Sequence, residues 1–141
     1  MGMSSYLLKT LISTIFLGVC LTSFLSMMAV MGKADRASDA DRLRRLHRVS
    51  GFVFIALLLA LAYLGANFLA DLGEGISTRA VIHFVLAALL VALVLLKVLI
   101  VRVYRQFLKY APGLGMAIFT LTVVIFLITA GYFFLRGGAL E

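Results

Sequence analysis

The stretch AVIHFVLAALLVALVLLKVLIV, residues 80–101, decides the fold. Its only polar side chains are His83 and Lys97. About 20 predominantly apolar residues are enough to cross the hydrocarbon core of a bilayer. Backbone in lipid has no water to satisfy its N–H and C=O groups, so such a run folds as a helix that bonds within itself. Three further runs of this kind stand at about residues 6–31, 49–70 and 114–135, and the third helix is expected to continue past the membrane surface to about residue 108. None shows the period-two alternation of a membrane strand.

Composition agrees. Of 141 residues, 64% are hydrophobic and 13% charged, and the mean hydropathy is +1.15. A soluble domain of this length has no use for that much apolar surface. The connections are short, which makes sequential helices antiparallel neighbours. The expected fold is therefore all-α: an integral membrane four-helix up-down bundle, forming a single domain over residues 1–141. The first run is too long for the core of a secretory signal and is expected to remain as a helix. Cys20 is the sole cysteine. Alone it cannot form an internal disulfide, a Cys-x-x-Cys-His haem attachment or an iron–sulfur site.

The net charge of +7 is unevenly spread. Lys33, Arg36, Arg42, Arg44, Arg45 and Arg48 lie between the first two helices, and Arg102, Arg105 and Lys109 follow the third. The opposite ends carry only Lys9, Arg79 and Arg136. Excess Lys and Arg mark the cytoplasmic side, which predicts a multi-pass protein of the cytoplasmic (inner) membrane with both termini outside. The basic charge points to lipid head groups rather than nucleic acid as partner.

Residues 32–46 are expected to be the one substantial soluble loop. Within it residues 34–42 suit a short interfacial helix capped by Ser38 or Asp39. Residues 71–77 are an outer turn, and Pro112-Gly113 breaks the chain after the third helix. Thr10, Thr14, Gly18, Thr22 and Ser26 recur every four residues and make a small-residue packing face, as do Ala88 and Ala92. Phe119, Phe126 and Phe133 form an aromatic stripe for packing or lipid contact.

Two histidines carry the functional reading, histidine being both a haem ligand and a proton carrier. His47 opens the second helix, and Ser50 and Gly51 share its face at i+3 and i+4. Gly51 leaves that face open for a flat ring. Arg44, Arg45 and Arg48 supply cations suited to haem propionates or a quinone carbonyl. The plainer reading is an interfacial histidine with arginines that anchor a helix end.

The run His47-Arg48-Val49-Ser50-Gly51 resembles the cytochrome b membrane-anchor subunit of succinate dehydrogenase, whose family begins a transmembrane helix with His-Arg-x-Ser-Gly. The resemblance implies haem and quinone chemistry, with Arg48 lining a quinone site. In that family a serine three residues before the histidine also lines the site. Arg44 stands there in this chain, so that contact does not carry over. The family's haem histidine lies late in the next helix, where residues 94–99 here hold none, and the motif here opens the second helix rather than the first.

His83 lies one turn inside the third helix, with Arg79 four residues earlier on the same face. Ionisable groups within a span point to function. The imidazole can bind haem iron while the guanidinium, nearer water, holds a propionate. The plainer reading is a histidine bonded to a neighbouring helix or to interfacial water. By residue count His47 and His83 differ in depth by about 25–30 Å. Two axial ligands of one iron stand about 4–5 Å apart, so one intrachain haem cannot use both. Each histidine would supply one ligand. The other would come from a second subunit, from a symmetry mate in a homodimer, or, near His47, from Met27, Met28, Met31 or Met116.

Lys97 is expected to snorkel to the inner interface. No acidic residue lies within the four apolar runs, which argues against a proton-coupled exporter. There is no Gly-rich phosphate loop, nucleophile triad or clustered metal site. The expectation is a small membrane subunit of a respiratory-type electron-transfer complex that binds b-type haem and/or contacts quinone together with other membrane or redox subunits. The alternative is a haem-free structural or assembly subunit.

Overall fold

The computed structural model describes residues 2–32, 37–71 and 75–131. These fold as four helices: α1 (Gly2–Gly32), α2 (Ala37–Asp71), α3 (Thr78–Arg102) and α4 (Ala111–Phe126). A 3-10 helix (Arg105–Tyr110) links α3 to α4, and a π-helical turn (Leu127–Gly131) extends α4. Among the described residues there is no strand. All four helical segments are long and apolar enough to cross a membrane. The fold class is all-α, as the four apolar runs predict.

The chain groups into two compact units, Met1–Leu57 and Leu58–Glu141, with the boundary inside α2. In the first unit α1 meets the first half of α2 in antiparallel register. Phe16 stacks on Phe54 with ring centroids 4.6 Å apart and planes 16° from parallel, and Ser23 faces His47. Phe16, Cys20 and Ser26 are buried on α1, and Ser50 and Phe54 on α2. Of the small-residue stripe Ser26 is buried, whereas Thr14, Gly18 and Thr22 stay exposed. Its hydroxyls turn inward to their own helix, Thr14 Oγ1 donating to Thr10 O at 2.8 Å and Thr22 Oγ1 to Gly18 O at 2.9 Å. Such back-bonding satisfies a hydroxyl in apolar surroundings without a partner helix.

The expected soluble loop is mostly helix. α2 begins at Ala37, twelve residues before the expected start at 49, so Ser38 and Asp39 lie within it rather than capping a separate piece. Ala, Leu and Arg are strong helix formers, and Asp39 in the first turn complements the positive end of the helix. The exposed Asp41–Arg44 pair, at 3.7 Å, adds little. Lys33, Asp35 and Arg36 lie outside the described residues.

In the second unit α3 packs on α4, burying Leu90 and Val94 on one helix and Ile118 and Thr122 on the other. Each pair is spaced i, i+4, so each helix presents one ridge. Thr122 donates to Ile118 O at 2.8 Å. Ala88 and Ala92 face outward. Ser77 caps α3: its backbone is extended (φ −69°, ψ 146°) and its hydroxyl accepts from Ala80 N at 3.3 Å.

α3 ends at Arg102 rather than near 108. The N–H groups of Val103 and Tyr104 both reach Leu99 O, at 2.8 and 3.1 Å, and the chain tightens into the 3-10 helix. Pro112 does not break the chain. It sits in the first turn of α4, where proline's missing N–H costs nothing and its fixed φ suits the helix. Phe119 and Phe126 of the aromatic stripe are half-buried; Tyr132, Phe133 and Arg136 lie outside the described residues.

Candidate functional site

His47 lies ten residues into α2, not at its first turn. Its Nδ1 is 2.8 Å from the backbone oxygen of Ser23 on α1 and 3.2 Å from Ser23 Oγ. A carbonyl oxygen can only accept, so Nδ1 carries the proton. In the neutral ring the lone pair then belongs to Nε2. This is the tautomer in which a metal-ligating histidine is normally held, its other nitrogen donating to a carbonyl or carboxylate.

The Ser23 carbonyl also accepts from Ser26 Oγ at 2.9 Å. Ser50 Oγ donates back to His47 O at 3.2 Å. Ser50 thus joins the His47 site through the backbone, with its hydroxyl oxygen still able to accept a hydrogen bond. Arg48 is exposed, and Arg44 leans on Asp41. At Gly51 a Cβ would meet nothing within 4 Å, so the face beside it is open, as the glycine predicts. Ser23 itself is absent from the sequence reading. No spacing rule marks it, because its importance depends on the register between two helices.

One turn deeper, Gly18 and Thr22 of α1 and Val49, Ser50 and Val53 of α2 line an open, largely apolar groove of about 300 Å³. Gly18 meets nothing within 4 Å at its missing Cβ. The antiparallel register puts Ser23 at the level of His47 on α1. Met27 and Met31 lie four and eight residues further on, about 6 and 12 Å along the helix, so α1 brings serine rather than methionine to that level. Met28 and Met31 are exposed.

His83 and Arg79 belong to the second unit. They share a face of α3, and Arg79 is exposed near the helix start. His83 Nδ1 is buried and has no hydrogen-bond partner among the described residues. Buried polar atoms are nearly always paired, so an orphaned one calls for a group beyond the described residues. Lys97 is half-buried, and its Nζ stands 3.3 Å from where a Cβ on Gly115 of α4 would lie. The ammonium therefore fits a notch that glycine leaves open near the start of α4.

Among the described residues, no three His, Cys, Asp or Glu side chains converge on a metal-binding point. An ion held wholly by protein, such as structural zinc, needs such a cluster. Haem iron does not: its macrocycle supplies four nitrogens, and the protein adds only one or two axial ligands. A single histidine held as His47 is would be compatible with the second class of site.

The model of a protein family described as "Family of unknown function (DUF6529)" matches residues 2–140. The chain belongs to this family. Membership in DUF6529 covers nearly the whole chain and assigns it no activity. No curated protein and no solved structure matches it.

Proposed function

We propose that this protein is a small integral subunit of a membrane electron-transfer complex that binds b-type haem and/or contacts quinone together with a partner subunit. The observation that carries the reading is the His47 ring, fixed by the Ser23 carbonyl with Nε2 free to accept or ligate. The orphaned Nδ1 of His83 adds to it, since it marks a buried group with no partner among the described residues.

In this reading His83 would hold a haem iron, with Arg79 as propionate partner. His47, with Arg48, Ser50 and Gly51 around it, forms the second haem or quinone site. A bound haem would supply one-electron cycling between ferric and ferrous iron. The chain's own residues would orient the imidazoles, exclude water and neutralise anionic substituents. The proposed location is the inner membrane with both termini outside, on the strength of the basic residues flanking the spans.

The His47–Ser23 hydrogen bond also staples α1 to α2, and that favours a second reading, a haem-free structural or assembly subunit. Optical spectra of the protein purified with its native partners, oxidised and then dithionite-reduced, separate the two. The expected result is a reduced haem α-band that is lost or shifted in His83→Ala or His47→Ala. A partner-retaining preparation with no α-band overturns the haem reading, and full haem retention in both variants overturns the ligand assignment.

A further inference from the structure

Residues 101–110, the end of α3 and its connection to α4, are exposed without exception. Yet they are not a polar loop. Val103, Tyr104, Phe107, Leu108 and Tyr110 are all exposed large apolar or aromatic side chains. Threaded among them are Arg102, Arg105 and Lys109, and no carboxylate occurs anywhere in residues 97–116. The start of α2 differs in this respect, since its arginines are interleaved with Asp39 and Asp41 and one ion pair is formed there.

The 3-10 geometry sorts these residues. With three residues per turn, positions i and i+3 eclipse one another. Phe107 therefore sits over Tyr110, their ring centroids 6.4 Å apart, and Gln106 is aligned with Lys109. Lys109 Nζ lies 5.0 Å from the centre of the Tyr110 ring. Aromatic rings that are apolar in body and polar at the tip, with long cationic side chains beside them, suit the headgroup layer, where rings and stems reach toward acyl chains and charges stay wet. In water the same segment would expose a costly apolar surface.

We propose that the α3–α4 turn is a binding site for anionic phospholipid headgroups, in which Arg102, Arg105 and Lys109 engage the phosphate and Tyr104, Phe107 and Tyr110 anchor the segment at the level of the glycerol backbone. The occupant follows from charge: three exposed cations without a local counter-charge face a layer whose anionic members carry phosphodiesters. Guanidinium groups suit phosphate oxygens because they can donate two parallel hydrogen bonds. The inference is independent of haem or quinone and of which side of the membrane the turn occupies.

The test is the lipid preference of the full-length protein in reconstituted bilayers, read from the motionally restricted fraction of spin-labelled phosphatidylglycerol against spin-labelled phosphatidylcholine. The expected preference for the anionic lipid is about fivefold at low salt, weakening as salt is raised. The combined variant Arg102→Gln, Arg105→Gln, Lys109→Gln is expected to bring it close to one. Arg42→Gln, Arg44→Gln, Arg45→Gln is expected to keep most of it. Equal restriction of both lipids by the unaltered protein overturns the proposal, as does a preference that survives the first variant. Loss of the preference on adding millimolar glycerol 3-phosphate would assign the site to a soluble phosphate ester and overturn the lipid assignment. If the first variant fails to fold, the salt titration of the unaltered protein decides: a preference insensitive to salt refutes a headgroup site built on charge.

Discussion

At the scale of single residues, the His47–Ser23 contact is the most consequential bond described. The acceptor is a backbone carbonyl, so the interaction belongs to His47 and to the place where α1 passes, not to the serine side chain. Two substitutions separate these contributions. His47→Ala removes the donor and is expected to cost about 1 kcal/mol, the usual size of an interhelical hydrogen bond in a membrane. Ser23→Ala keeps the carbonyl and loses only the 3.2 Å hydroxyl contact, so its cost is expected to be clearly smaller. Unfolding in mixed detergent gives both values, and equal losses would mean that the hydroxyl is the true partner. Much at this scale was legible in the sequence: both histidines, Arg79, Ser50 and Gly51 stand out by type and spacing. The tautomer of His47 and the notch at Gly115 were not, because each is set by the approach of a second helix.

At the scale of elements, the four apolar runs are plain in the sequence because bilayer thickness imposes a length that hydropathy alone reveals. Their ends are another matter. Residues 37–48 carry charges that a hydropathy reading assigns to a loop, yet their helix-forming side chains and the adjoining span carry α2 through them. The i, i+3 placement of Asp41 and Arg44 was the available signal. The reverse happens after α3, where Leu99 O gathers two N–H groups and ends the helix before its apolar pattern stops. Arg45→Pro tests the first point. In a continuous helix it is expected to cost about 3 kcal/mol and to lower the helical circular dichroism. In a loop it would change neither. The Phe16–Phe54 stack offers a second check, since Phe16→Leu keeps an apolar side chain but gives up the ring pairing. It should cost about 0.5–1.5 kcal/mol in the same unfolding measurement.

At the scale of the whole molecule, charge sets orientation. The proposed arrangement puts the α3–α4 turn on the cytoplasmic side and the α2–α3 connection outside. The sole native cysteine, Cys20, is 5% exposed and is expected to give little background with a membrane-impermeant maleimide. Gly75→Cys should therefore react when intact cells are labelled from outside, and Gln106→Cys only after the membrane is opened. The opposite pattern would invert the topology. It would also move the basic turn to the outer leaflet while leaving its chemistry intact.

The π-helical turn at residues 127–131 has a consequence for how the end of α4 tolerates changes in length. A π turn accommodates one residue more than the α-helix around it. Here the Thr129 hydroxyl donates to Ile125 O at 2.8 Å and Phe126 O at 3.3 Å, occupying carbonyls at the irregular step. Such a turn is an insertion held in place. Removing one residue from it would let the ladder close as an ordinary α-helix. Residues 127–131 are thus a place where the protein can change length by one residue without losing a helix.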